Sequence, residues 1–146
     1  MGIIKAICIS PAKGTPKHNV DSAVLIEDWG IENDAHAGKW HRQVSLLNKE
    51  KIDEFNAKGA NVKDGAFGEN LIVTDIDFKN LPIGTRFASG EVVLELTQIG
   101  KKCHNDCIIK QTMGDCIMPR EGVFCRVLHG GKLVPGDELI VIGEDK

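Results

Sequence analysis

Short apolar runs separated by glycine-containing turns make up most of the hydrophobic pattern of this sequence. Within Glu91–Ile99 and Gly122–Leu128, apolar residues recur at every second position, which predicts β-strands with one buried face. The run Gly2–Ser10 is apolar on both faces, so it predicts a strand buried on both sides. The predicted strands are Gly2–Ser10, Ser22–Glu27, Gln43–Leu47, Glu69–Thr74, Thr85–Ala88, Glu91–Ile99, Gly122–Leu128 and Leu139–Ile142.

The turns between these runs are marked by glycine and proline. Pro11–Asn19 is predicted to be a loop, and Pro135–Asp137 a turn. The pair Gly130-Gly131 is typical of a tight β-hairpin. Many short strands joined in this way favour a mainly β fold, either a barrel or a sandwich.

One clear helix is predicted over Lys49–Lys58. Asn48 precedes it, and its side-chain oxygen could accept a first-turn N–H. Ile52 and Phe55 are spaced to face the core, and Gly59 ends the helix. Apart from this short helix we expect only a few helical turns.

The chain has 146 residues, of which 42% are hydrophobic and 27% charged, so we expect a single globular domain spanning 1–146. No apolar run reaches the roughly 18–20 residues that cross a bilayer, and the N-terminus does not resemble a secretory signal. These features predict a cytoplasmic protein without a membrane partner. The net charge of −3 and the 5% of aromatic residues argue against nucleic acid as a partner.

Several common catalytic signatures are absent from the sequence. It contains no Walker-type phosphate loop, no dinucleotide-binding glycine motif and no Gly-x-Ser-x-Gly turn. The sequence therefore gives no motif support for a kinase, a dinucleotide oxidoreductase or a serine hydrolase.

The five cysteines are an odd number in a sequence without secretory features, so reduced thiols are expected rather than a disulfide framework. Cys103 and Cys107 follow directly on an apolar strand, beside Lys101, Lys102 and His104. Neighbouring cations lower a thiol's pKa by stabilising the thiolate, which attacks sulfur and binds soft metals. These two cysteines are therefore candidate reactive groups.

The other cysteines suggest two further interpretations. Cys8 and Cys125 each lie among apolar strand residues, so both are predicted to be small core residues. A structural zinc site is the alternative for the remaining thiols, although their spacing is a poor match to paired zinc ligands. Its candidate ligands are Cys103, His104, Cys107 and Cys116.

A second cluster of polar residues lies in 33–43, a glycine-containing segment that leads into a strand. Lys39, His41 and Arg42 could bind a phosphate or another oxyanion. Asp34 and His36 could instead bind a metal or set each other's charge. A solvated loop is the remaining interpretation.

A third, shorter motif is Gly65–Leu71. Its glycines precede Glu69 and Asn70 at the start of a predicted strand. A carboxylate and an amide at that position could face a cleft, although this motif alone is weak.

Taken in order, these pieces resemble the MOSC domain, the family named for the C-terminal domain of molybdenum cofactor sulfurases. The resemblance covers about residues 3–142. The matching residues are His36–Gly38, Arg42–Leu47, Gly65–Leu71, Leu94–Gln98, Cys103, Gly122–Phe124, Arg126–Leu128, Gly130-Gly131 and Gly136-Asp137.

The resemblance implies a MOSC-like β-barrel with a cleft cysteine that accepts sulfane sulfur or ligates molybdenum of a pterin cofactor. That role falls to Cys103, with Cys107 as its rival. Asn33 stands where the family often has glycine, which is tolerable because asparagine accepts a left-handed backbone. The resemblance also implies polar cleft residues, namely Asp34, His36, Arg42, Glu69 and Asn70. Neither the N-terminal barrel domain of the larger reductases nor a sulfurase domain is found in the sequence, so we expect the stand-alone short form.

The resulting hypothesis is a domain that acts on the molybdenum cofactor, or on sulfur transferred to it, with activity of a sulfur-transferase kind. Arg42, Lys39 and Lys102 would bind the phosphate of the pterin, and His36 or His104 would move a proton. Its partners would be the pterin cofactor and a sulfur donor or a molybdoenzyme acceptor. The alternatives are a cofactor-binding or chaperone module without chemistry, and a small structural zinc protein.

Overall fold

Eleven β-strands and one α-helix form the regular structure of the residues that the computed structural model describes, which are 2–10, 17–35, 37–59, 69–100 and 122–144. The elements are β1 (Gly2–Ile9), β2 (His18–Val20), β3 (Ala23–Ile26), β4 (Gly30–Ile31), β5 (Val44–Asn48), α1 (Lys49–Ala57), β6 (Leu71–Val73), β7 (Thr85–Ser89), β8 (Val92–Ile99), β9 (Val123–His129), β10 (Gly131–Leu133) and β11 (Glu138–Glu144). Phe78–Asn80 forms a short 3₁₀ turn.

Seven strands close into a barrel in the order β11-β7-β8-β9-β5-β6-β1, and β1 returns to β11 through the pairs Gly2–Leu139 and Ile3–Glu138. Within the barrel, β5 and β6 pair in parallel and the other neighbours pair antiparallel. Strand β2 adds to β1, and a second sheet has the order β10-β3-β4. The prediction of a mainly β barrel with one short helix is confirmed.

The barrel core follows from the alternation along the strands. In β7 and β8 every second residue is buried, because successive side chains point to opposite faces. Strand β5 is buried at all five positions. It has the barrel on one side, and α1 packs against it through buried Ile52 and Phe55. Phe78 and Phe87 meet edge-on with their ring centroids 5.6 Å apart.

The helix runs as predicted, but its N-terminal cap differs. Asn48 has an extended backbone and makes no side-chain bond to the first turn. Its Nδ2 instead donates to the carbonyl oxygen of Ile76 at 2.5 Å, so the side chain connects the helix start to the segment after β6. Gly59, with φ +101°, takes the left-handed conformation that ends the helix. No helix among the described residues is long and apolar enough to cross a bilayer.

The short strands β2, β4 and β10 were not predicted, and the hairpin expected at Gly130-Gly131 is wrong. The chain leaves β9 and enters β10, which pairs with β3 rather than with β9. Gly130 lies against the main chain of β3, where an added Cβ would be 2.4 Å from the Leu25 carbonyl oxygen. The glycine therefore allows the main chains of the two sheets to lie close together. It does not form a tight hairpin turn. The turn at Pro135–Asp137 is present, with the Asp137 amide donating to the Val134 carbonyl at 3.1 Å.

This contact gives a test of the second sheet. Gly130→Ala is expected to destabilise the domain by roughly 1–3 kcal/mol, because the new methyl meets main chain that cannot move alone. Gly59→Ala is the matched control, because no atom of the described residues lies within 4 Å of its added Cβ and its cost is about 1 kcal/mol of left-handed strain. Urea unfolding of both variants measures the difference, and equal losses would contradict the close approach at Gly130.

Candidate functional site

A buried ion pair lies at the centre of the polar residues that the sequence singled out. Lys17 Nζ is 2.6 Å from Asp34 Oδ1, and their side chains are 1% and 0% exposed. The same carboxylate oxygen accepts the main-chain N–H of Ser10 at 3.1 Å. The ammonium also reaches the Ser10 hydroxyl at 3.5 Å. Asp34 is thus bound to the end of β1 and to the residue before β2.

Asn70 connects this ion pair to the motif at the start of β6. Its Nδ2 donates to Asp34 Oδ2 at 3.2 Å and to the Cys8 carbonyl oxygen at 3.0 Å. Its Oδ1 accepts the Ser45 amide at 3.0 Å. Two motifs far apart in the sequence therefore meet through Asp34 and Asn70.

The loop after Asp34, residues 34–42, is ordered by main-chain hydrogen bonds where the structure describes it. Ala35 N–H donates to the Ser10 carbonyl at 2.9 Å, and Gly38 N–H donates to the Trp29 carbonyl at 2.8 Å. Asn33 precedes the loop with φ +69°, so it adopts the left-handed backbone expected from the family glycine at this position.

Arg42 lies at the far end of this loop between two aromatic rings. Its guanidinium carbon is 4.5 Å from the centroid of the Trp40 ring and 5.6 Å from that of Phe124. Its Nε is buried and has no hydrogen-bond partner among the described residues. A buried N–H without a partner is costly in a folded protein, so Arg42 Nε is a donor for which the described residues supply no acceptor.

The neighbouring residue, His41, connects the loop to the end of β8. Its Nε2 is 2.7 Å from Gln98 Oε1, and its carbonyl accepts the Thr97 hydroxyl. Beyond Gln98, the amide of Gly100 donates to the Gly122 carbonyl at 2.6 Å. Gly100 and Gly122, the described residues on either side of 101–121, therefore lie together, close to the loop that carries His41 and Arg42.

Comparison with known proteins assigns the family. The sequence profile of the MOSC domain matches residues 33–140. This chain belongs to the MOSC domain family.

Solved structures have the same fold as this MOSC domain. The YUAD protein from Bacillus subtilis superposes with a TM-score of 0.79 at 19% identity, covering 97% of this chain and 96% of that one. YiiM from Geobacillus stearothermophilus gives a TM-score of 0.71 at 18% identity, covering 97% of this chain and 75% of that one. At these identities the likeness concerns the fold.

A curated relative is considerably longer than this MOSC domain. A protein described as a reductase from Gibberella moniliformis (strain M3125 / FGSC 7600) is 27% identical over 142 residues, covering 86% of this chain. This chain spans 25% of that relative's length.

The structure places the other predicted site residues as follows. Lys39 is exposed on the loop, and Glu69 is fully buried before β6. Four predicted residues lie outside the described residues, namely His36, Lys102, Cys103 and Cys107. His104 and Cys116, the other proposed zinc ligands, lie outside them too. Within the described ranges, no group of three or more His, Cys, Asp or Glu side chains could hold a metal ion.

The core role predicted for Cys8 and Cys125 is confirmed, because both side chains are fully buried. Burial raises the pKa of the Cys125 thiol far above its usual range, and the negative charge of Glu95 raises it further. This thiol therefore stays protonated and is a poor nucleophile.

Alkylation checks this assignment. We expect iodoacetamide at neutral pH to leave Cys8 and Cys125 unmodified in the folded domain and to label both in urea. Peptide mass spectrometry reads each cysteine separately. Equal labelling rates with and without urea would contradict the burial of these thiols.

Sequence reasoning missed three contributors to the site. Lys17 fell within a predicted loop, and no sequence signal indicated a buried lysine there. Trp40 lies in the polar segment 33–43 and Phe124 in the matched motif Gly122–Phe124, but their pairing around Arg42 depends on the contact between the loop and β9.

A cleft of about 330 Å³ lies elsewhere, at the start of α1. Glu50, Asp75 and Asp77 contribute to its lining, and none of the predicted site residues does. Its acidic character does not suit an anionic ligand.

Proposed function

We propose that this MOSC domain binds the molybdenum cofactor through Arg42 and uses Cys103 or Cys107 to carry sulfane sulfur or to ligate molybdenum. The observation that supports it most directly is that Arg42 Nε has no hydrogen-bond partner among the residues that the structure describes. Its neighbour His41 contacts Gln98, two residues before Gly100, the last described residue ahead of the cysteine-bearing segment. The family assignment supplies the link to molybdenum cofactor proteins.

The residues present fit the anionic part of such a cofactor. Trp40 and Phe124 contact Arg42 through their rings, so the planar edge of the guanidinium is the part available to a ligand. That edge matches two oxygens of a phosphate in a bidentate arrangement. Lys39, exposed on the same loop, adds a second positive charge.

Chain connectivity limits how far Cys103 can lie from this region. Cys103 is three residues after Gly100, and three residues span at most about 11 Å. Gly100 accepts Gln98 Nε2 at 2.7 Å, and Gln98 in turn contacts His41. Lys102, next to Cys103 in the sequence, would stabilise a thiolate there.

The proposed transfer of sulfur to Cys103 is a thiol–persulfide exchange. The Cys103 thiolate attacks the outer sulfur of a donor persulfide, the S–S bond of the donor breaks, and the donor leaves as a thiolate. The product is a Cys103 persulfide, with no net oxidation or reduction. When bound, the cofactor would supply a soft metal centre for sulfur ligands. His36 would accept the proton that the Cys103 thiol loses before it attacks.

Metal and pterin analysis tests the proposal. Domain purified from a molybdenum-replete host is expected to contain molybdenum and pterin in equal amounts. A domain that binds no molybdenum and no pterin, even when incubated with cofactor released from a molybdoenzyme, would contradict it. Stoichiometric zinc in place of both would favour the structural zinc alternative.

A binding module without chemistry is the second candidate, because the Arg42 site needs no thiol to hold an anion. The two are separated by titrating the cofactor into the double variant Cys103→Ala with Cys107→Ala. A pure binding module retains its affinity, whereas a domain that ligates molybdenum through either sulfur loses it.

A further inference from the structure

We infer that Lys17 is a positioning residue for the Arg42 site, and that its buried ion pair with Asp34 sets the place of the 34–42 loop on the barrel. The inference rests on the proposed function only in taking Arg42 as the anion-binding group. Asp34 and Asn70 then act behind the site rather than as direct ligands of a cofactor.

The hydrogen bonds of the pair support this role. Asp34 Oδ1 binds Lys17 and Ser10, and Asp34 Oδ2 binds Asn70. Both carboxylate oxygens thus have partners inside the protein, and the side chain is 0% exposed. A carboxylate in this position fixes loops but cannot reach a ligand without breaking these bonds.

The energetics of burial also favour a positional role. Removing two charges from water costs about as much as their attraction returns, so a buried ion pair is a weak source of stability. Such a pair is better understood as specifying one arrangement of the chain, and here it fixes where three segments meet. These segments are the end of β1, the residue before β2, and the start of the loop.

Hydrogen bonds along the loop connect the position of Asp34 to that of Arg42. Asp34 accepts the Ala37 amide at 3.2 Å through its main-chain carbonyl, and Gly38 accepts the Trp40 amide at 3.0 Å. The Trp40 ring then packs on the Arg42 guanidinium. A loop displaced at Asp34 would therefore displace the aromatic ring that orients Arg42.

A charge-neutral double variant tests the inference. Lys17→Met with Asp34→Asn removes the ion pair without leaving an unpaired buried charge. The matched control is Lys49→Met with Asp53→Asn, which removes an exposed pair of the same 2.6 Å length on α1. Both are made with Trp29→Phe, which leaves Trp40 as the single tryptophan and a direct reporter of the loop.

Two measurements are made on each folded variant, namely acrylamide quenching of Trp40 and titration with inorganic phosphate. The Lys17 and Asp34 double variant is expected to show more quenching and about tenfold weaker phosphate binding, equivalent to one decade in Kd. The control is expected to match the parent in both. Circular dichroism confirms that each variant is folded. If the double variant does not fold, Lys17→Gln with Asp34→Asn replaces it, because this pair is also neutral but keeps polar side chains at both positions.

Unchanged quenching or unchanged phosphate affinity in the folded variant would overturn the inference. Failure of the proposed anion site gives a different result. In that case the parent itself does not bind phosphate, and the quenching of Trp40 still decides whether Lys17 positions the loop.

Discussion

Replacing Cys103 and Cys107 together with serine is expected to abolish persulfide labelling of the domain and its retention of molybdenum. A serine hydroxyl is neither a sulfur acceptor nor a soft ligand, so both proposed roles of the thiols are lost. The measurement is incubation with a sulfane-sulfur donor, followed by persulfide-selective labelling and elemental analysis. The expected change is from stoichiometric labelling to background.

Cys8→Ala with Cys125→Ala is the matched control, since both thiols are buried in the barrel. This control is expected to keep full labelling at some cost in stability. The single variants Cys103→Ser and Cys107→Ser then identify the reactive thiol. A double serine variant with undiminished labelling and molybdenum content would rule out the proposed use of these cysteines.

Much of the barrel could be predicted because its strands follow a local rule. The alternation in β7, β8 and β9 directs one set of side chains inward, and Phe87, Leu94 and Val127 are buried as this rule requires. What could not be predicted depends on partners distant in sequence. Asn48 bonds to Ile76 instead of capping its helix.

In the candidate site, too, the residues could be predicted from the sequence but their contacts could not. Asp34, Arg42 and Asn70 were singled out because their residue types and order match a family. That Asp34 contacts Asn70 at 3.2 Å depends on how β1, β5 and β6 pair, which no single motif specifies. Lys17 was not predicted as a site residue, because a lysine is almost never fully buried unless it is paired and the sequence did not indicate its partner.

The tertiary contacts also change the roles expected for these residues. In sequence, Asp34 and Arg42 belong to one polar segment, and the family resemblance implies that both are cleft residues. In the structure, Asp34 is bound on both oxygens inside the protein, whereas Arg42 keeps a buried donor without a partner among the described residues. We therefore propose Arg42, rather than Asp34, as the residue that binds the ligand.

Arg42→Ala is expected to weaken binding of the cofactor, or of inorganic phosphate, by about ten- to a hundredfold, which corresponds to the loss of roughly 1.5–3 kcal/mol from charge-assisted hydrogen bonds. The free energy of unfolding should fall by no more than about 1 kcal/mol, since Trp40 and Phe124 are the two described residues whose contacts the guanidinium would lose. Isothermal titration and urea unfolding measure the two quantities. A large effect on affinity with a small effect on stability distinguishes a ligand-binding arginine from a structural one.

Arg42→Lys tests whether the planar fork is needed or only the charge. Lysine keeps the charge but cannot form two parallel bonds to one phosphate, so its affinity should lie closer to that of the alanine variant than to that of the parent. Arg126→Lys is the matched control, because Arg126 is exposed and its Nε lies 3.8 Å from Asp28. Parental affinity in Arg42→Lys would show that charge alone suffices, and parental affinity in Arg42→Ala would place the anion elsewhere on the domain.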